Sequence, residues 1–309
     1  MTRAMILAAG LGTRLRPLTE IRAKPALPVC GIPVIAYLLE LLHHHDINDV
    51  IVNLHHLPNS VRDAVEEFKP SGLTVSYCEE ATPLGTGGGI RGAREFLMES
   101  DPCLVMAGDM LLDLDLTALI KRHRSRQDLA TLVLREDSRA GRFGSIGIDE
   151  GGAVRRIAES FDLGNEHAAG VFLGVRVFSR RALETLPDRE NFEDLRDWLV
   201  PILSEGKKTI TAELLPQDQC TWEPVGTPDE YLRANFQPPT LPFFDPIQEA
   251  QKRGVTLTDD VVIGAGATIE SGAQLSHCII WDGETVPRDT KAEDGVFAND
   301  QFHSCKERS

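Results

Sequence analysis

The chain has 309 residues, 42% of them hydrophobic, and a formal charge of −15 from 32 basic and 47 acidic side chains. That length suits one large domain plus something smaller, and an acidic balance without a basic block argues against a nucleic-acid partner. The six cysteines (Cys30, Cys78, Cys103, Cys220, Cys278 and Cys305) include no C-x-x-C pair, so we read them as reduced thiols rather than a zinc site or disulfide framework. The opening apolar run is too short for a signal-peptide core, and no stretch reaches the roughly 18 apolar residues of a membrane helix. A cytoplasmic protein with no membrane partner is expected.

Residues 4–9 are apolar, and Gly10, Leu11, Gly12, Thr13 and Arg14 follow at once, which reads as a strand breaking into a glycine turn. Glycine lacks Cβ, so such a loop brings several backbone N–H groups close to an anion. Arg14 adds a fixed charge, and Lys24, followed by Pro25, adds a second. A dinucleotide fingerprint needs a third glycine where Leu15 stands, and a P-loop needs Gly-Lys-Ser/Thr where the chain has Thr13-Arg14. Both are excluded.

Segment 33–45 (PVIAYLLELLHHH) has proline in its first turn and apolar residues at helical spacing, which predicts a helix. Adjacent helical residues point apart, so its three final histidines read as a solvated helix end rather than a metal site. Strands at 49–54 and 73–78 flank a helix at 58–68, and this alternation predicts a doubly wound, mainly parallel sheet. A second glycine cluster, EEATPLGTGGGIRG, follows at 79–92; three consecutive glycines suit a flat group lying against main chain. A buried strand at 103–107 ends in Gly108-Asp109, placing a carboxylate at the edge where such sheets bind ligands. Asp113 and Asp115 are better placed to cap the next helix, 116–126.

Further strands are expected at 130–134, 141–149, 170–178 and 209–214, with helices at 179–186 and 192–203. Residues 237–246 (QPPTLPFFDP) hold four prolines and read as a stiff linker. Beyond it Leu257, Ile263, Ile269, Leu275 and Trp281 recur every six positions, a period of neither helix nor plain strand.

The pattern G-x-G-T-R followed by K-P resembles the signature of the sugar-nucleotide pyrophosphorylases, or sugar-1-phosphate nucleotidyltransferases. TWEPVGTPDEYL at 221–232 is close to that family's W-x-D-x-G-T-P-x-x-Y/L. The resemblance implies a Rossmann-like nucleotidyltransferase domain at 1–236 and a Pro-rich linker at 237–254. The hexapeptide repeat that follows, within 255–309, resembles a short left-handed parallel β-helix. Such a repeat must stack its apolar face, so a homo-oligomer through it is a further expectation, and His277 within it is read as structural rather than catalytic.

The activity implied is conversion of a nucleoside triphosphate and a sugar 1-phosphate to a nucleotide sugar and pyrophosphate, with Mg²⁺. Carried over residue by residue, Arg14, Lys24 and Asp109 would be catalytic, with Asp109 also on the metal. Ala8, Ala9, Gly10, Gly12 and Thr13 would hold the nucleotide together with Gly85, Thr86, Gly87 and Gly88; Gly144, Glu159 and Gly174 would face the sugar. Two departures stand out: Pro224 replaces the second metal-binding Asp, leaving Glu223 as the adjacent carboxylate, and Ser160 replaces the Lys that usually follows Glu159. They leave room for a second reading, a regulatory subunit of this fold with little or no turnover. The run LGTGGGI at 84–90 looks more like guanylyl- and uridylyltransferases acting on mannose-like, heptose or amino sugars than like thymidylyltransferases.

Overall fold

In the computed structural model, which describes residues 2–206 and 210–306, the opening apolar run becomes strand β1 (Arg3–Leu7). Ala4, Met5 and Ile6 are fully buried, as expected of a strand covered on both faces. Helix α1 (Val34–His44) follows, then β2 (Asp49–Leu54), α2 (Pro58–Phe68), β3 (Thr74–Glu79), α3 (Gly85–Gly92), β4 (Cys103–Ala107) and β5 (Met110–Asp113). Strand β1 runs parallel to β2 and β4, and β2 runs parallel to β3, so a parallel block β3-β2-β1-β4 forms.

Helix α4 (Leu116–Arg126) takes its N-cap from Asp115, whose carboxylate accepts from the Ala118 amide at 2.8 Å. It leads to β6 (Ala130–Arg135), the short β7 (Ile146–Ile148), the long β8 (Ala168–Phe178) and β9 (Ile210–Leu215). Strand β8 is antiparallel to β4, β6 and β7, whereas β6 and β9 are parallel. Thr209, the first residue of the strand expected at 209–214, lies outside the described residues. One apolar layer (Ile35, Leu38, Val61, Leu119) covers one face of the sheet and another (Ile90, Leu97, Leu183, Trp198) covers the opposite face. The sheet is thus mixed α/β with a mainly parallel centre, extended by antiparallel pairing beyond β4.

Two stretches differ from expectation. The group that lies against the glycine cluster, which forms α3, is protein: the segment before residue 194 folds over it, and the amides of Gly87 and Gly88 donate to the Phe192 carbonyl at 2.9 and 3.2 Å. Segment 141–149 is not one strand, since Ala140–Phe143 is a helical turn before β7. The three histidines of α1 go separate ways: His43 bonds Asn48, His44 packs on Phe243 and His45 bonds Thr117. All six thiols are free, and burial pushes Cys30, Cys103 and Cys220 up to about 12. Among the described residues no helix is long and apolar enough to cross a membrane.

After β10 (Thr221–Pro224) and α5 (Pro228–Phe236), the expected stiff linker packs down instead. Phe244 meets Tyr37 edge-on at 5.3 Å, and Asp245 caps a further helix, α6 (Pro246–Lys252). Beyond it, β11 (Val261–Ile263), β12 (Gln274–Ile280) and β13 (Lys291–Ala298) stack in parallel, Val261 opposite Cys278 and Cys278 opposite Gly295. Thr268–Ile269 and Thr285–Val286 pair in parallel on a second face.

The coil repeat is therefore seventeen residues, close to three hexads. Cys278, Ile280, Val286 and Phe297 fill its interior with Ile263 and Leu275 against them, while Val262, Ile279, Trp281 and Val296 face the larger domain. Ile269, which the period of six placed inside, is 40% exposed. His277 and Asp294 stack at one corner with positive φ and share a 2.7 Å hydrogen bond. Ending the chain after Phe236 would uncover Tyr231, to which Trp281 donates, and open the apolar cluster that Val262, Ile279, Trp281 and Val296 share with Leu27 and Val29. The expected result is a lower melting temperature and aggregation in size-exclusion chromatography; unchanged stability would make the coil an independent module.

Candidate active site

A cavity of about 430 Å³ opens where β1 and β4 end. The loop after β1 turns at Gly12, whose φ is +61°; a Cβ there would fall 2.7 Å from Thr19 Cγ2, and the Thr19 hydroxyl donates to the Gly12 carbonyl at 2.9 Å. Gly10 has open space around it, and Ala9, Gly10 and Leu11 make no hydrogen bond among the described residues. Their amides are left for water or an anion.

Arg14 is exposed and makes no ion pair among the described residues. It nonetheless stands beside Lys24: a Cβ on Gly226 would lie 3.1 Å from Arg14 Nη2 and 3.6 Å from Lys24 Nζ. Gly226 is held by its own amide, which donates to the buried Glu230 carboxylate at 2.7 Å, and α5 begins just beyond it. Lys24 Nζ donates to Asp109 Oδ2 at 2.5 Å, the Asp109 side chain remaining 41% exposed. The backbone that carries Asp109 is fixed on both sides, since Gly108 donates to the Leu7 carbonyl and Val225 donates to that of Asp109, both at 2.9 Å. Two cations and one carboxylate thus meet beside a loop of unpartnered amides, an arrangement suited to a polyphosphate.

The far wall of the cavity is a polar chain. Asn53, at the end of β2, accepts from the Ala8 amide at 2.7 Å and donates to Glu80 at 2.6 Å; Glu80 accepts from the Leu84 amide at 3.1 Å. The phosphate-side loop and the start of α3 are therefore tied through two buried side chains. Thr86 Oγ1 lies 2.7 Å from Glu193 and 2.6 Å from Asp194, and Arg176 pairs with Asp194. Arg176 and Glu193 both line the cavity.

Residues 3–238 match the family model described as nucleotidyl transferase. The chain belongs to that family. It is 30% identical over 295 residues to the mannose-1-phosphate guanylyltransferase of Mycobacterium tuberculosis (strain ATCC 25618 / H37Rv), covering 92% of this chain and 80% of that one. It is 28% identical over 244 residues to the UTP–glucose-1-phosphate uridylyltransferase of Synechocystis sp. (strain ATCC 27184 / PCC 6803 / Kazusa), covering 75% of this chain and 62% of that one. Among solved structures, HddC from Yersinia pseudotuberculosis complexed with GMP-PN aligns with a TM-score of 0.64 at 25% identity, covering 76% of this chain and 98% of that chain.

In this nucleotidyl transferase the cavity brings together Ala8, Ala9, Gly10, Gly12, Thr13, Arg14, Lys24, Gly85, Thr86 and Asp109. Gly87 and Gly88 are not among its lining: a Cβ on them would fall 2.3 Å from the Phe192 ring and 2.2 Å from the Glu190 carbonyl, so their smallness admits protein. Gly174 likewise packs on Ala107 with φ +76°, and Gly144, with φ +74°, makes the turn into β7. Glu159 lies on an exposed turn away from the cavity.

Glu223, expected as a displaced metal ligand, is instead engaged by two guanidiniums, Arg233 Nε at 2.6 Å and Arg139 at 3.6 Å. Asn53, Glu80, Arg176, Glu193 and Gly226 also line the cavity, beyond the site residues expected from the motifs. Asn53 and Arg176 carried a signal, each being a polar residue with apolar neighbours on both sides in its strand.

Proposed function

We propose that this nucleotidyl transferase joins a sugar 1-phosphate to the nucleotidyl part of a nucleoside triphosphate and releases pyrophosphate. The reading rests on one observation above all: Arg14, Lys24 and Asp109 converge beside the free amides of residues 9–11. In the reaction a sugar phosphate oxygen attacks the α-phosphorus, a new P–O bond forms, and the bond to the β-phosphate oxygen breaks with its electron pair leaving on pyrophosphate. No protein nucleophile is required, so positioning and charge neutralisation supply the catalysis. Arg14 would neutralise the leaving pyrophosphate, and Lys24 would turn from Asp109 to the α-phosphoryl oxygens.

Asp109 suits Mg²⁺. One of its oxygens accepts from Lys24, while the other has no protein partner among the described residues. Among them no three His, Cys, Asp or Glu side chains gather into a metal site, and Mg²⁺ commonly binds through one or two carboxylates plus phosphates and water. When bound, the ion would neutralise phosphate charge.

Base and sugar follow from the relatives and from the 84–90 run. A guanylyltransferase relative and a GMP-PN complex favour guanylyl transfer, with uridylyl transfer next, onto a mannose, heptose or amino-sugar 1-phosphate. Gly144 and Glu159 would meet a sugar that extends past the cavity toward β7. We divide the chain into a catalytic domain at 1–236, a connecting segment at 237–254 and a left-handed coil within 255–309, and the free thiols suit a cytoplasmic setting. The regulatory-subunit alternative rests on Pro224 and Ser160 and is not favoured, given Arg14, Lys24 and Asp109. In a screen of nucleoside triphosphates against sugar 1-phosphates, GTP or UTP with one of these sugars should be the best pair. A best pair of dTTP and glucose 1-phosphate would overturn the choice of base and sugar.

A further inference from the structure

Lys24 sits on a single three-residue 3-10 turn, Lys24–Ala26, so contacts flanking that turn must hold it. Several come from one residue of the C-terminal coil. Trp281 is 3% exposed, and its Nε1 donates to the Tyr231 hydroxyl at 3.0 Å. That hydroxyl in turn donates to the carbonyl of Pro28 at 2.7 Å. On the other side of Lys24, the guanidinium of Arg22 lies over the Trp281 ring, 4.7 Å from its centroid, and Arg22 makes no ion pair among the described residues. The same ring thus grips the chain two residues before Lys24 and, through Tyr231, four residues after it.

We propose that Trp281 is a positioning residue for Lys24, making the C-terminal coil a working part of the active site in the same chain. The inference rests on the role given to Lys24 above. Other coil residues facing the domain, Val262, Ile279 and Val296, offer only apolar surface, which glues but does not orient. Trp281 adds a directed hydrogen bond and a stacked cation, which fix the angle of the 22–28 stretch and hence where the Lys24 ammonium stands. A displacement of about 1 Å in a catalytic group is enough to cost on the order of 100-fold in rate.

The test uses full-length Trp281→Phe, Tyr231→Phe, Lys24→Ala and, as a control, Val286→Ala, which weakens the coil interior without touching residues 22–28. Melting temperature, kcat, KM for each substrate and the acylation rate of the Lys24 amine, read by mass spectrometry, are measured for each. Trp281→Phe and Tyr231→Phe should each lower kcat by about 10-fold while KM for the triphosphate stays within about twofold. Both should also acylate faster at Lys24, because the Lys24–Asp109 pair is less firmly held. Val286→Ala should lower the melting temperature and leave kcat and the acylation rate unchanged.

Unchanged kcat in both aromatic variants beside an inactive Lys24→Ala would overturn this proposal alone. A kcat loss in Val286→Ala equal to theirs would do the same, since instability would then explain it. Turnover retained in Lys24→Ala would overturn the role of Lys24 and this proposal with it.

Discussion

Arg14→Ala is expected to lower kcat by roughly 10²-fold or more, the scale seen when one preorganised charge partner of the transition state is removed. Arg14 has no ion-pair partner among the described residues that would hold it away from substrate, and it stands beside Lys24 next to Gly226. Charge builds on the leaving pyrophosphate as the α-phosphorus bond breaks, so the loss should fall on kcat more than on KM. Because the side chain is exposed and makes no ion pair among the described residues, the fold should survive, and the melting temperature should barely move. Near-normal turnover in Arg14→Ala would mean that the glycine loop is a turn and nothing more.

Asp109→Asn should take turnover to background, on the order of 10³-fold or more. Asparagine keeps the shape and can still face Lys24, but it loses the charge that draws in a divalent cation and leaves the Lys24 ammonium unneutralised. Glu223→Gln should behave differently. Glu223 already balances Arg233 and Arg139 outside the cavity, so its loss should show mainly as reduced stability, with catalysis little changed. Equal damage from the two substitutions would place Glu223 back on the metal and show that its arginine pairs break when substrate binds.

The two contrasts also mark what local sequence can carry. Gly10 to Arg14 and Asp109 were legible because each follows an apolar strand directly, and a strand end in a parallel sheet is where ligands bind, whereas Lys24, on a 3-10 turn, was legible only through the K-P of the family pattern. Glu193 was not, and Gly226 was legible only as part of the motif at 221–232, without a place in the site. They reach the cavity from residues far along the chain, and only the folding of the segment before residue 194 over α3 and the docking of β10 on β5 bring them there. The triple glycine was misread for a related reason: glycine marks a close approach without saying what approaches, and here Phe192 and Glu190 do.

Strands that pair in parallel stand where the period of six expects a repeat, yet the period does not mark which residues turn inward. Strand β12 and the residue after it alternate between two buried environments, Cys278 and Ile280 toward the coil interior, Ile279 and Trp281 toward the larger domain. A pattern of apolar residues alone does not separate those two faces. The apolar face that the repeat was expected to stack, on itself or on a partner subunit, meets the chain's own first domain on the side of Ile279 and Trp281.

The central claim is that this cavity moves a nucleotidyl group onto a sugar phosphate. Incubating the full-length protein and Mg²⁺ with GTP labelled at its α-phosphorus and mannose 1-phosphate, and in parallel with α-labelled UTP and the other sugar 1-phosphates of the screen, tests it most directly. The label should appear in a nucleotide sugar in step with one pyrophosphate released, and chelation of the metal should stop both. Label remaining in triphosphate with every pair, in protein shown to be folded, would contradict the account and leave a nucleotide-sugar-binding regulatory subunit in its place.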